Sequence, residues 1–469
     1  MNHTLKIAII LLIISGKLFS QSVEINGNLK VTNVGINNTA NAVIVQNING
    51  TFEKRDASTL GGIPSTAIVL SETEINPTLS NAGFANTGYI NLQFNPKSNG
   101  TINYGEWIAT SLLNAPVERM DHTAIWTGTE MIIFGGQDDG GNYLNTGAKY
   151  NPISNTWTSI STTNAPSGRI QHSSIWSDGE MIVWGGLTST STFTNTGAKY
   201  NPISDTWTPI SLTDAPASRA LHAGIWSGTE MIVWGGKTGS STYTNTGAKY
   251  NPISDTWTSI SLTDAPTSRA LHTGIWSGTH MIVWGGQTSS TTYTNTGAKY
   301  NPISDVWTTI ALAGAPSGRQ NHSAIWTGTE LIVWGGQISG SSNSNAGAKY
   351  NSNTDTWTTV TIGNSPTSRN GHWAIWTGSE MIVWGGVGNS TVFNTGSRYS
   401  PVSNSWLATP FLNVPLARRS FSSVWTGSEM IVWGGTGSGN LFNSGGKYNP
   451  NISGYAPEEI VTRFLFKKN

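Results

Sequence analysis

The chain has 469 residues, with 25 Lys and Arg set against 25 Asp and Glu and only 11% of positions charged. Zero net charge and a pI near 7.1 leave no overall basic field of the kind that holds nucleic acid or an anionic membrane. With no cysteine, disulfides cannot be the stabiliser, so burial must suffice.

Taken in order, Met1 to Ser20 reads as a secretory signal. Lys6 supplies the positive start, Ile7 to Ile14 is an unbroken apolar run, and small or polar residues follow around Ser20. The run is too short to span a bilayer, and no later stretch approaches the roughly 20 apolar residues of a transmembrane helix. An exported protein, secreted or at the cell surface, is the expectation. Residues 21–100 differ in kind. Asn26-Gly27 and Asn49-Gly50 sit between apolar runs and are strong hairpin signals, Gly61 to Ser65 reads as a linker, and Gly88 to Phe94 as a further strand. This segment resembles the spacers that precede display domains in bacterial surface proteins and predicts a small β-rich stalk.

From Trp107 onward one motif recurs. A copy runs Arg219-Ala-Leu-His222, then Glu230-Met-Ile-Val-Trp234-Gly235-Gly236, then Lys249-Tyr250, then Asp255-Thr-Trp257. The tyrosines Tyr150, Tyr200, Tyr250, Tyr300, Tyr350, Tyr399 and Tyr448 mark a step of 49 or 50 residues. Each copy holds four short β segments and no helical periodicity, so each predicts one propeller blade. Twenty of the 21 Trp fall on three positions of the repeat, a packing device; Trp373 lies elsewhere.

The glycine pair Gly235-Gly236, followed by Tyr250 and, after six intervening residues, Trp257, resembles the kelch repeat, over residues 101–455. That resemblance implies an all-β, seven-bladed kelch-type β-propeller with the first strand of each blade along a central channel and the fourth outermost. It would follow the β-rich N-terminal segment and precede a C-terminal tail, 456–469. Trp107 lies nine residues before Pro116, as Trp157 does before Pro166, which puts an N-terminal strand in register to complete the seventh blade. A rival is a C-terminal strand through Tyr455. Closure by Trp107 is favoured, and either would remove the open edges that invite aggregation.

Several columns of the repeat offer chemistry. Arg119, Arg169, Arg219, Arg269, Arg319, Arg369 and Arg418 each follow a Pro by three and precede a first strand. On the channel rim they would concentrate positive potential and favour an acidic ligand, as arginines at this place do in kelch binders. Against this, each Arg could equally stack on an aromatic ring or hydrogen-bond backbone carbonyls, a structural role that seven-fold repetition favours. His122, His172, His222, His272, His322 and His372 follow three residues on, with Phe421 in the seventh place. Equivalent positions around a channel do not converge on a metal, so packing is expected and no metal or cofactor is implied. Glu130, Glu180, Glu230, Glu330, Glu380 and Glu429, and the Lys or Arg before each tyrosine, read as exposed ion pairs or solvated side chains on the opposite face.

The copies diverge after the glycine pair and after each Arg. In an up-and-down blade the loops carrying these differences emerge together, which makes that loop face the expected recognition surface. Asp138-Asp139 alone is weak evidence for calcium. The favoured function is a secreted or surface-exposed, monomeric module binding a protein or glycan, possibly acidic. The alternative is a carbohydrate-active enzyme on acidic sugars that uses the channel-mouth arginines, similar to propellers that rearrange sialic acid. Galactose-oxidase-type copper chemistry needs a cysteine and is excluded, and no catalytic motif appears.

Overall fold

In a computed structural model of the chain, residues 105–451 are described throughout, within a unit spanning Tyr104–Ile452. Earlier in the chain three antiparallel pairings are recorded: Thr4–Ile13 with Lys17–Asn26, Ala42–Gln46 with Phe52–Asp56, and Ile68–Val69 with Gln93–Phe94. Otherwise the expectations for residues 1–100 and 456–469 lie outside the described residues, as does Tyr455. Among the described residues no helix is long and apolar enough to cross a membrane.

Residues 105–451 build seven four-stranded antiparallel sheets. Blades 1 to 7 begin with the strands Thr123–Trp126, Ser173–Ser177, Ala223–Trp226, Thr273–Trp276, Ser323–Trp326, Trp373–Trp376 and Ser422–Trp425. Blade 3 continues through Met231–Trp234 and Gly247–Asn251 to Thr256–Ser259. In blade 7 the fourth place is taken by Glu106–Ala109, with Trp107 opposite Tyr448. The N-terminal strand seals the ring, as its register with Trp157 predicts.

The second strands show why the ring holds. Met231, Ile232, Val233 and Trp234 are all 0% exposed, because both faces of the sheet are covered by neighbouring blades. Alternation sends Met231 and Val233 toward blade 2 and Ile232 and Trp234 toward blade 4. Seven such clusters, one per interface, replace a single central core; one of them joins Val424, Ile431 and Trp433 of blade 7 to Met131 and Tyr150 of blade 1. The outer Trp257 packs on Tyr250 of its own blade and Trp184 of the preceding one, with centroids 4.9 and 5.3 Å away.

A polar latch reinforces each step. Asp255, at φ 54°, accepts hydrogen bonds from the Tyr250 hydroxyl (2.7 Å) and from the Ser211 amide of the preceding blade (2.9 Å). Asn155 and Asn404 do the same for Tyr150 and Tyr399. Asp or Asn fills this column in blades 1 to 6, where it serves both a left-handed backbone and a short acceptor; in blade 7 Gly105 stands there at φ 84° and supplies only the backbone.

Candidate functional site

The seven arginines are not on the rim. Arg169, Arg219 and Arg269 are 0% exposed, and Arg119, Arg319, Arg369 and Arg418 are 1%. Each guanidinium turns into its own blade. Arg269 donates through Nε to the Thr267 carbonyl (3.0 Å) and through Nη1 to the carbonyls of Gly285 (3.0 Å) and Thr296 (2.7 Å). Its main chain meanwhile ties to blade 3, accepting from the Gly236 amide at 2.8 Å. Burial lowers the Arg269 pKa to about 10, so it remains a cation at neutral pH. Arg369 and Arg418 also lie over the rings of Phe393 and Phe442. Buried and committed to backbone carbonyls, these guanidiniums are not exposed for contact with an acidic ligand.

The glycine pair is shaped by the same junction. Gly235 and Gly236 have φ of 71° and 97°, and a Cβ on Gly235 would stand 2.6 Å from Cε1 of His272. The histidines fill the interfaces edge-on to the aromatic residue that ends the second strand of the preceding blade, as His222 does to Trp184 and His172 to Phe134. Five of them share a hydrogen bond of 2.7–3.0 Å with a hydroxyl of the preceding blade: His122 with Ser422, His172 with Thr123, His222 with Ser173, His322 with Thr273 and His372 with Ser323. His272 meets Ala223 instead and has no such partner. Where Phe421 replaces the histidine, the facing residue is Trp373. Desolvation, with the nearby arginine second, holds His122, His222 and His372 near pKa 3, and the other three also fall well below the ordinary value. Among the described residues no cluster of His, Cys, Asp and Glu could hold a metal.

On the opposite face Glu230 pairs with Lys249 at 3.7 Å, and five more blades repeat the pair at 3.4–4.0 Å, with Arg398 for Lys in one. These lysines are not merely solvated. Lys249 donates to the Pro302 carbonyl of the next blade at 2.9 Å, and Lys447 to Pro152 across the closure at 2.8 Å.

The loop face is where the blades differ. There the residue after each arginine bridges to the residue after the glycine pair, and that residue bridges to the returning arm, as in Ala220–Lys237–Tyr243. Both variable loops therefore join in one small hairpin layer. Blades 1 to 4 carry Tyr143, Phe193, Tyr243 and Tyr293 at the same position of this layer, all partly exposed; Lys237 lies 4.9 Å above the Tyr243 ring. Asp138 caps its own hairpin, accepting from the Asn142 amide at 2.8 Å.

Inside this layer a ring of residues frames the channel mouth: Asp121, Gln171, Leu221, Leu271, Asn321, Gly371 and Ser420, all with φ between 50° and 59°. Neighbouring blades are stitched there by backbone bonds, including Leu221 N to Gln171 O, Leu271 N to Leu221 O, and Asp121 N to Ser420 O. A left-handed Leu is strained, and two side by side are held by this stitching. Asp121 is the acid that breaks the repeat beside the first strand. Its carboxyl is pushed up by burial, against a hydrogen bond from Ser420 and the charge of Arg419. Asp121 falls in the stretch after each Arg where the copies diverge, and its column across the seven copies singles it out as the one acid. Below the mouth a channel of about 480 Å³ is lined by first-strand residues such as Gly224, Ile225 and Trp226.

A family model described as the KLHDC2/KLHL20/DRC7 Kelch-repeats domain matches residues 103–276, 208–326 and 271–452, which overlap to span about three quarters of the chain. No curated protein matches it.

Proposed function

The chain belongs to the kelch-repeat family, and from that premise we propose that its propeller takes a protein partner on the loop face. The observation that carries this reading is the split within each copy: strands and junctions nearly identical, hairpins divergent. Identical parts serve the ring, and divergent ones on one face serve recognition. Four partly exposed aromatic residues at one position of consecutive blades add anchors of the type that dominate protein interfaces.

With an identified partner bound, hydrogen exchange should slow in 137–143, 187–193, 237–243 and 287–293. Tyr243→Ala should weaken binding by about ten-fold or more while leaving the unfolding midpoint near wild type. Protection confined to the Glu and Lys face would refute the reading.

A glycan ligand is the second reading, favoured by the polar, hydroxyl-rich hairpins such as Thr188 to Thr192. The sugar-enzyme alternative relied on the arginines as its carboxylate clamp, and their burial removes that support. We also propose export, resting on Lys6 and the apolar run Ile7 to Ile14; N-terminal sequencing of protein recovered outside the cell should begin near Gln21, and an intact Met1 would contradict it.

A further inference from the structure

Where seven blades are near copies, departures from the copy mark the places shaped by something other than the ring. At the channel mouth, beyond the divergent hairpins, an exposed aromatic residue, a cation and an acid that depart from the copy gather in one sector. On blade 6, Trp373 stands where the other blades carry Thr, Ser or Ala; it is 40% exposed, and its indole N–H donates to the Phe421 carbonyl of blade 7. Two residues earlier Gly371 leaves open space where a side chain would stand. On blade 7, Arg419 is the one charged residue in its column and is exposed. On blade 1, Asp121 is the one acid of the mouth ring, bonded through its amide to Ser420 at 3.0 Å. Blades 6, 7 and 1 are consecutive around the ring, and the Phe421 and Ser420 carbonyls link Trp373 to Asp121.

We propose that this sector is a saccharide subsite, in which a neutral pyranose stacks on Trp373 and shares its hydroxyls between Asp121 and Arg419. The C–H face of a pyranose matches an exposed indole, which offers large contact area and little entropy loss. A hydroxyl both donates and accepts, so a carboxylate acceptor beside a guanidinium donor suits it, with Ser420 between them. The same pair disfavours ions: a cation drawn to Asp121 is repelled by Arg419, and an anion the reverse. Gln171 and Asn321 extend the polar arc, while Leu221 and Leu271 present only hydrocarbon on the far side, so the sugar sits on the side of blades 6, 7 and 1. This gives the glycan reading a location; its failure would leave protein docking on the hairpins of blades 1 to 4 untouched, because other residues carry that.

The test applies the full chain to an array of neutral, acidic and amino oligosaccharides and a lysine-rich peptide, followed by calorimetric titration of the strongest saccharide. Trp373→Ser restores the residue of blades 2, 5 and 7, and Asp121→Asn that of blade 5, so both are compatible with the fold. Binding of a neutral oligosaccharide is expected, weakened about ten-fold or more by either substitution and unchanged by Tyr243→Ser, with unfolding midpoints close to wild type. The proposal is overturned if no neutral saccharide binds, if binding ignores both substitutions, or if the peptide alone is captured.

Discussion

Arg269→Ala is expected to destabilise the propeller about as much as Trp257→Ala, each by about 3–5 kcal/mol in denaturant unfolding. For Trp257 the loss is a buried indole packed between two blades and bonded to the Ser211 carbonyl at 3.0 Å. For Arg269 it is different in kind. The truncation orphans the Gly285 carbonyl and leaves the Thr296 carbonyl only its bond from the Gly285 amide (3.1 Å), in a site with no exposure. An unmet buried acceptor costs about 1–3 kcal/mol, and here it adds to the loss of the bonds to the Thr267 and Thr296 carbonyls and of the side chain that fills the space. Arg269→Lys should recover only part of this, since an ammonium cannot present the planar fork. A near-neutral Arg269→Ala would return the arginines to the role of ligand contacts.

Acid should unfold this protein early. The buried imidazoles have folded pKa values near 3 or well below normal, against about 6.5 in an unfolded chain. Below pH 6.5 the unfolded chain binds protons that the folded one refuses, so stability falls as pH drops and is regained above 6.5. At pH 5.5 each histidine costs about 1.4 kcal/mol relative to neutral pH, and six act together. Unfolding midpoints measured between pH 7.5 and 5.5 should therefore fall steeply. His272→Phe, copying the residue at 421 and removing the histidine that meets Ala223, should flatten that fall and cost little at pH 7.5. A midpoint independent of pH across this range would contradict buried neutral imidazoles.

Much of the ring is legible in the residues themselves. The spacing of Tyr250, Trp257 and Gly235-Gly236 marks the blade, and the offset from Trp107 to Pro116 marks the closing strand, because both follow from strand geometry that repeats. The direction of a side chain does not. The position of Arg269 in the loop between blades places its Cα near the rim, yet whether the guanidinium faces solvent or backbone depends on carbonyls 16 and 27 residues onward. The candidate subsite was hidden for another reason. Trp373 and Asp121 lie some 250 residues apart in the chain and come to flank the Ser420–Phe421 segment of blade 7 only in the closed ring. The pairing of His272 with Ala223, and of Phe421 with Trp373, was visible as departures in two columns, but only a closed ring says that those columns touch.

Closure itself can be tested covalently, since the chain has no cysteine to interfere. Glu106 and Asn449 face each other across the last ladder of blade 7. The double variant Glu106→Cys, Asn449→Cys should form an internal disulfide on mild oxidation, seen as faster migration in a non-reducing gel and reversed by reductant. Glu106→Cys with Asn251→Cys, on blade 3, should not. A failure of the first pair to link, or equal linking by both, would mean that the N-terminal strand does not complete the seventh blade.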